Sequence, residues 1–147
     1  MIGGYQAAQE EVVLLSRPAR RLLRVAGLAP TQMFSGLLTG MTPPALQDQG
    51  AGTHLGHVPY SAMLTPNGRL VTDLRVARLT NGDNGSLLLD LPEAGAVSAL
   101  AHFEKFLPPR LAKVVELVEP VTMVTLVGPD APQRLSGDTI GFPVDAP

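Results

Sequence analysis

Two short connectors constrain this chain more than any other feature. Pro66-Asn67-Gly68 separates "HVPYSAMLT" from "GRLVTDLRVARL", and "NGDNG" at 81–85 separates that segment from "SLLLDL". Pro, Asn and Gly supply the backbone angles of tight turns. Connections this short join antiparallel strands, because parallel neighbours need a crossover. Three consecutive antiparallel strands are therefore predicted between His57 and Leu91.

The flanking segments extend the pattern. "EVVLL" at 11–15 is a short apolar run that reads as a buried strand, and "RRLLRVAGL" at 20–28 reads as a second. "APTQMFSGLLTG" reads as a helix, with Pro30 in its first turn, Met33, Phe34, Leu37 and Leu38 on one face, and Gly40 closing it. Residues 41–56 are rich in Pro and Gly and read as a loop. "PEAGAVSALAHFEKFLPP" reads as a second helix, with Val97, Leu100, Phe103 and Leu107 on its apolar face and Pro108-Pro109 as its stop. "LAKVVELV" and "VTMVTLVG" are two further strands. The fold class is α+β: a mostly antiparallel sheet with two helices, in a β-β-α-β-β-β-α unit followed by the beginning of a second such unit.

That second unit is read from an internal match. "VAGLAPTQMFSG" at 25–36 and "LVGPDAPQRLSG" at 126–137 align at a constant offset, Gly27 with Gly128, Gln32 with Gln133, Ser35 with Ser136 and Gly36 with Gly137. The organisation expected is an N-terminal tail at 1–10, a first unit at 11–120, the start of a second at 121–137 and a C-terminal tail at 138–147.

Composition narrows the chemistry. A chain of 147 residues with 45% apolar and 16% charged residues suggests one domain with a real core. The formal net charge of −2 provides no basic field for nucleic-acid phosphates. Arg17, Arg20, Arg21 and Arg24 form a local basic cluster, read as charges on an exposed strand edge. With no cysteine there is no disulfide, thiol nucleophile, or cysteine-ligated cluster or zinc site in these residues. No apolar run approaches the ~20 residues of a membrane helix, and the first residues lack signal-peptide character. A cytoplasmic protein is the expectation.

Most motifs read as ordinary. "GAGTHLG" at 50–56 is one residue too long for a dinucleotide loop. His54 and His57 lack a third ligand partner, so no metal is expected. His102 reads as a half-buried helix residue, and no Gly-x-Ser-x-Gly elbow exists. Asp73 is different, because it sits inside a strand, where aspartate is disfavoured. Val71, Asp73, Arg75, Ala77 and Leu79 share one face, and Leu70, Thr72, Leu74 and Val76 the other, which should meet the helices. From pattern alone Asp73 is either half of a surface ion pair with Arg75 or a carboxylate under a ligand.

"LRVAGLAPTQMFSGLLTG", "YSAMLTPNGRLVTDLRVAR", "LLLDLP", "HFEKFLPPRLAKVVEL" and "VTLVGPDAP", in this order, resemble the N-terminal folate-binding domain shared by the glycine-cleavage T protein (aminomethyltransferase) and the YgfZ-type folate-binding proteins. The resemblance runs over roughly 11–137, and "LTPNGR" and "FEKFLPPRLAKV" look closer to the YgfZ branch. It implies a domain of two swapped units and tetrahydrofolate as the cofactor. It places the folate-side carboxylate, the candidate catalytic residue, on Asp73, and further folate-binding positions on Tyr60, Leu88 and Asp90.

There are departures from the family pattern. Thr72 replaces the first of two adjacent carboxylates, Ala77 replaces an aromatic that contacts the folate, and Asp90 stands where asparagine is usual. Losing the aromatic removes about 0.5–1.5 kcal/mol of ring contact. The later family segments, including the YgfZ signature, are absent from the sequence. The resemblance thus implies a folate-type small molecule as ligand, and a homodimer or the missing second half of the domain as partner. The function implied is YgfZ-type folate binding in support of iron–sulfur cluster assembly or repair. The alternatives are tetrahydrofolate-dependent aminomethyl transfer and a truncated assembly domain without folate.

Overall fold

A computed structural model describes residues 4–17, 19–116 and 123–132. The chain divides into two units, Ala19–Glu119 and the pair Met1–Pro18 with Pro120–Pro147. In chain order the elements are α1 (Gly4–Glu10), β1 (Val13–Ser16), β2 (Arg20–Ala26), α2 (Pro30–Ser35), β3 (Gln47–Gly50), β4 (Thr53–Leu55), β5 (Tyr60–Leu64), β6 (Leu70–Arg78), β7 (Leu87–Pro92), α3 (Glu93–Phe106), β8 (Lys113–Glu116) and β9 (Val124–Val127). This is a mixed α+β fold with antiparallel sheets and few helices. No helix among the described residues is long and apolar enough to cross a membrane.

The larger unit is a five-stranded antiparallel sheet in the order β5-β6-β7-β2-β8. Both sequence-read turns build it. Gly68, at φ 77°, donates its N–H to Thr65 O (2.8 Å) and closes the β5–β6 hairpin. Gly85 N–H donates to Gly82 O (3.0 Å) in the β6–β7 connector. One face of the sheet is covered. Met63, Leu74, Val76, Leu87, Leu89, Leu91, Leu23 and Val25 are fully buried there, with Phe34 and Phe103 of the helices 5.3 Å apart between ring centroids.

Several boundaries differ from the sequence reading. The helix read over 29–40 is α2, which stops at Ser35, and Leu38 already forms a bridge with Met63 of β5. The chain leaves the helix to pair with the sheet, so the i, i+4 apolar spacing reflects burial on two different partners. Residues 41–56, read as a loop, hold the β3–β4 hairpin. Both its faces are exposed, so no apolar alternation marks it.

On α3 the buried positions are Ala96, Ala99, His102 and Phe103, whereas Val97 is 80% exposed. Small residues face the sheet because the helix lies close. A Cβ added at Gly95 would collide with Thr72 Oγ1 of β6. His102 is buried, where a half-buried position was expected, and packs against Phe106 at 4.5 Å. Arg20, Arg21 and Arg24 are not on an edge: β2 lies between β7 and β8, with Arg20 and Arg21 held by Asp90 and Glu93, whereas Arg17 follows β1 in the smaller unit. A strand that arrives some ninety residues later covers that edge, which local pattern does not reveal.

The smaller unit contains the two-stranded antiparallel sheet β1–β9. Its first strand, read as buried, leaves Leu14 61% and Leu15 42% exposed, because only two strands are present among the described residues.

The glycines that align in sequence occupy equivalent corners. After β2, a Cβ at Gly27 would strike the Leu111 carbonyl just before β8, and Ala29 N–H donates to Leu111 O (2.9 Å). After β9, a Cβ at Gly128 would strike the Glu11 carbonyl just before β1, and Asp130 N–H donates to Glu11 O (3.4 Å). The strand registers correspond as well: Ala26 faces Lys113 and Val25 faces Val114, as Val127 faces Val13 and Leu126 faces Leu14. Gln133, Ser136 and Gly137 of the second copy, like the tail at 138–147, lie outside the described residues.

Candidate functional site

The second face of the five-stranded sheet carries no helix-side core, and the candidate residues lie on it. Directly opposite residues of an antiparallel pair share a face. Tyr60 is opposite Arg75, Arg75 opposite Asp90, and Asp90 opposite Leu22, which makes one row across four strands. A neighbouring row places Ala77 opposite Leu88, Leu88 opposite Arg24 and Arg24 opposite Val115. Asp73 lies opposite Ala62. Tyr60, Asp73, Leu88 and Asp90, drawn from three strands, therefore occupy a single face. The helix-side face of β6 carries buried Thr72, Leu74 and Val76, as the alternation requires, while Leu70, at the strand start, is exposed.

Asp73 does not pair with Arg75. Its Oδ2 accepts a hydrogen bond of 2.8 Å from the hydroxyl of Tyr60, and no other bond to its side chain exists among the described residues. Successive same-face residues on one strand project in parallel. A residue on the adjacent strand reaches Asp73 more directly, so the register decides the partner. The bond favours the protonated phenol. Together with desolvation and the Asp73 charge, it raises the Tyr60 pKa above its ordinary 10.0, against the opposing pull of Arg20 and Arg75. Tyr60 is 64% exposed, so its ring stands free at the surface beside the carboxylate.

Asp90 has a different environment. Arg20 donates from Nε to Asp90 Oδ1 at 2.7 Å and from Nη2 to the Asp90 carbonyl at 3.1 Å. The pair is largely shielded, with 20% and 12% of the two side chains exposed. Arg20 thus fixes the Asp90 carboxylate and cancels its charge. Leu22, level with Asp90, and Leu88 and Ala77, one row further from Asp73, make a partly buried apolar floor on the far side of Asp90. Sequence reasoning missed Arg20, because its partner lies 70 residues away and only the β2–β7 register joins them.

Other candidates fall elsewhere. His54 sits on exposed β4, and no three metal-ligating side chains gather among the described residues. "GAGTHLG" spans the β3–β4 turn, with Gly50, Ala51 and Gly52 all at positive φ, and opens no helix. Two concavities of about 720 and 420 Å³ exist away from the open face. The first is lined by Leu28, Thr31, Gln32, Arg78 and Asp83 among others, with Thr31 Oγ1 buried and without a hydrogen bond. Arg78 in its wall is engaged with the carbonyls of Pro43 and Pro44. Neither concavity includes Tyr60, Asp73, Leu88 or Asp90. The site is a sheet face, open to the side.

No protein-family model matches the sequence, and no curated protein matches it. Among solved structures, the glycine cleavage system aminomethyltransferase T from Bartonella henselae is similar to it, with a TM-score of 0.66 at 20% identity. The match covers 92% of this chain and 34% of that one, so the chain spans about a third of that protein's length. At this identity the likeness is one of fold. The described units are therefore built on the α+β fold of aminomethyltransferase T.

Proposed function

We propose that the open face of the five-stranded sheet binds a reduced folate, and that the chain acts as a folate-binding protein of the YgfZ type. The observation that carries this reading is the Tyr60–Asp73 hydrogen bond of 2.8 Å on that face. Tyr60 uses one oxygen of the carboxylate, which leaves Oδ1 free to accept. The amino-oxo edge of a pterin presents N–H donors, and a carboxylate is their natural acceptor. The Tyr60 ring supplies an aromatic edge beside Asp73, and the apolar floor of Leu22, Leu88 and Ala77 lies further along the same face, past Asp90. Because Arg20 fixes Asp90, Asp73 is the carboxylate available to the ligand. The free Asp73 oxygen and the Tyr60 ring fit the group by donor type.

Asp73 is in this reading a binding residue. Ala77, two strand positions from Arg75, leaves no ring to press a substrate into a reacting geometry. Support for iron–sulfur cluster assembly or repair, in the cytoplasm, follows from the branch resemblance of "LTPNGR" and "FEKFLPPRLAKV". The proposal includes a second unit, from another copy or from the rest of a domain, beside the exposed Leu14, Leu15, Val124 and Val127 of the smaller unit.

Calorimetric titration of the full chain with folinic acid tests the reading. Heat of binding in wild type that disappears in Asp73→Asn is the expected result, and no heat at millimolar ligand overturns it. Aminomethyl transfer is the second reading, favoured by the fold of the T protein. It requires Asp73 to act on a folate nitrogen. A transfer rate unchanged in Asp73→Asn would exclude that role.

A further inference from the structure

The smaller of the two concavities, about 420 Å³, lies within the larger unit, where α2 has ended, β5 turns towards β6 and α3 finishes. Leu37, Leu38, Leu64 and the Phe106 ring line it and make it largely apolar. Strand alternation alone would turn Leu64 to the open face with Tyr60 and Ala62. The register shift between Met63 and Leu64 breaks that alternation, and Leu64 joins the wall instead.

One buried polar group in this wall has nothing to bond to. His102 is only 9% exposed and meets the Phe106 ring at 4.5 Å, yet it makes no hydrogen bond among the described residues. A shielded imidazole without a partner is costly, and a ligand that reaches it relieves that cost. Thr39 and Thr65 also line the concavity. Each hydroxyl oxygen already accepts a main-chain N–H, from Ala62 at 3.2 Å and from Arg69 at 3.1 Å, which leaves its proton to donate elsewhere. The N–H groups of Leu37, Leu38, Thr39 and Thr65 are all engaged with main-chain carbonyls, so side chains must do the recognition. No charged residue lines the concavity. The Lys105 ammonium stands 5.3 Å from the Phe106 ring centroid and has no ion pair among the described residues. Burial, and then Lys105, lower the His102 pKa from 6.5, so at pH 7 the ring is neutral with one N–H to give.

We propose that this concavity binds a small apolar monocarboxylate, with its aryl or alkyl body against Leu37, Leu64 and Phe106. The carboxylate is met by the His102 N–H and a threonine hydroxyl, and Lys105 supplies the countercharge. Size and chemistry both select this class. The volume is at the small end of ligand sites, which run from about 300 to 1,000 Å³. Free donors beside an unpaired ammonium, with no acid in the wall, favour an anion over a cation. Apolar walls disfavour a second charge on the ligand, because that charge would be desolvated without a partner. None of these residues belongs to the open face, so the inference stands apart from the folate reading.

The test titrates phenylacetate, and phenylacetamide as its neutral counterpart, into the full chain, followed by amide NMR and by the His102 ring resonances. Saturable shifts at Leu37, Thr65, His102 and Phe106 are expected. The acid should bind about tenfold tighter than the amide, which is what one charge-assisted hydrogen bond contributes. Bound acid should also raise the His102 pKa, because a carboxylate beside the imidazole favours its charged form. Lys105→Gln, at an exposed position, should weaken the acid severalfold, and His102→Phe should remove the preference for acid over amide. Equal affinity for the two probes in wild type overturns the carboxylate assignment. Shifts centred elsewhere, or none at millimolar phenylacetate, overturn the site. Should His102→Phe fail to fold, the wild-type ring decides: a His102 pKa unmoved by saturating phenylacetate overturns the proposal.

Discussion

On β6, Thr72, Leu74 and Val76 are sealed on the helix side, while Asp73, Arg75 and Ala77 between them look outward. The same alternation runs through β7, where Leu87, Leu89 and Leu91 are buried on one side and Leu88 and Asp90 lie on the other. The two faces of one sheet thus obey different physics. The covered face is held by apolar area removed from water, at about 25 cal/mol per Å². The open face is organised by directed contacts, a phenol on a carboxylate and a guanidinium on a carboxylate. Stability should therefore depend on one set of alternate residues, and ligand recognition on the other.

Substitutions can test that division, and the largest effect belongs to the covered face. Leu89→Ala is expected to lose about 2–5 kcal/mol in urea unfolding, because the site is closed on every side. Asp90→Ala crosses the division. It leaves Arg20 shielded without its partner and should cost about 1.5–3 kcal/mol, the worth of a charged hydrogen bond removed from one side. Gly95→Ala forces a methyl against Thr72 and should cost about 1–3 kcal/mol, with α3 displaced from the sheet.

Smaller still are two pH effects. Tyr60 should titrate above its ordinary 10.0 in a spectrophotometric titration, and Asp73→Asn should bring it back. The folded pKa is the higher one, so the contribution is present below pH 10 and lost as pH rises through the folded value. His102, with its pKa lowered from 6.5 by burial and then by Lys105, favours the neutral ring in the folded state. Its contribution is full above 6.5 and falls away as pH drops through the lowered value. His102→Leu should flatten that acid limb of the unfolding curve. A flat limb in wild type would contradict the buried placement.

The sequence was legible where local chemistry decides the structure. Pro66-Asn67-Gly68 and the Asn-Gly steps of 81–85 specify the two hairpins, and period-two alternation separates Asp73 from Leu74 without any long-range information. The α+β class and the order of the main elements followed from these. What stayed hidden depends on partners distant in sequence. β2 looks like an edge strand until β8 pairs with it. Arg20 looks like a surface charge until the β2–β7 register brings it to Asp90. Val97 outweighs Ala96 and Ala99 in an apolar count, yet the close approach at Gly95 and Thr72 admits only the small residues. For the candidate site, the face of Asp73 was readable, but its partner was not. Arg75 is nearer in sequence, while Tyr60 is nearer across the hairpin.

The measurement that tests the central claim most directly is an amide-resolved NMR titration of the full chain with folinic acid, in wild type and in Asp73→Asn. Shifts concentrated on β5, β6, β7 and β2 around Tyr60, Asp73, Leu88 and Leu22, and lost in the variant, are the expected result. Saturable shifts around Leu28, Gln32 and Arg78 instead, or none at millimolar ligand, would contradict the assignment of the open face.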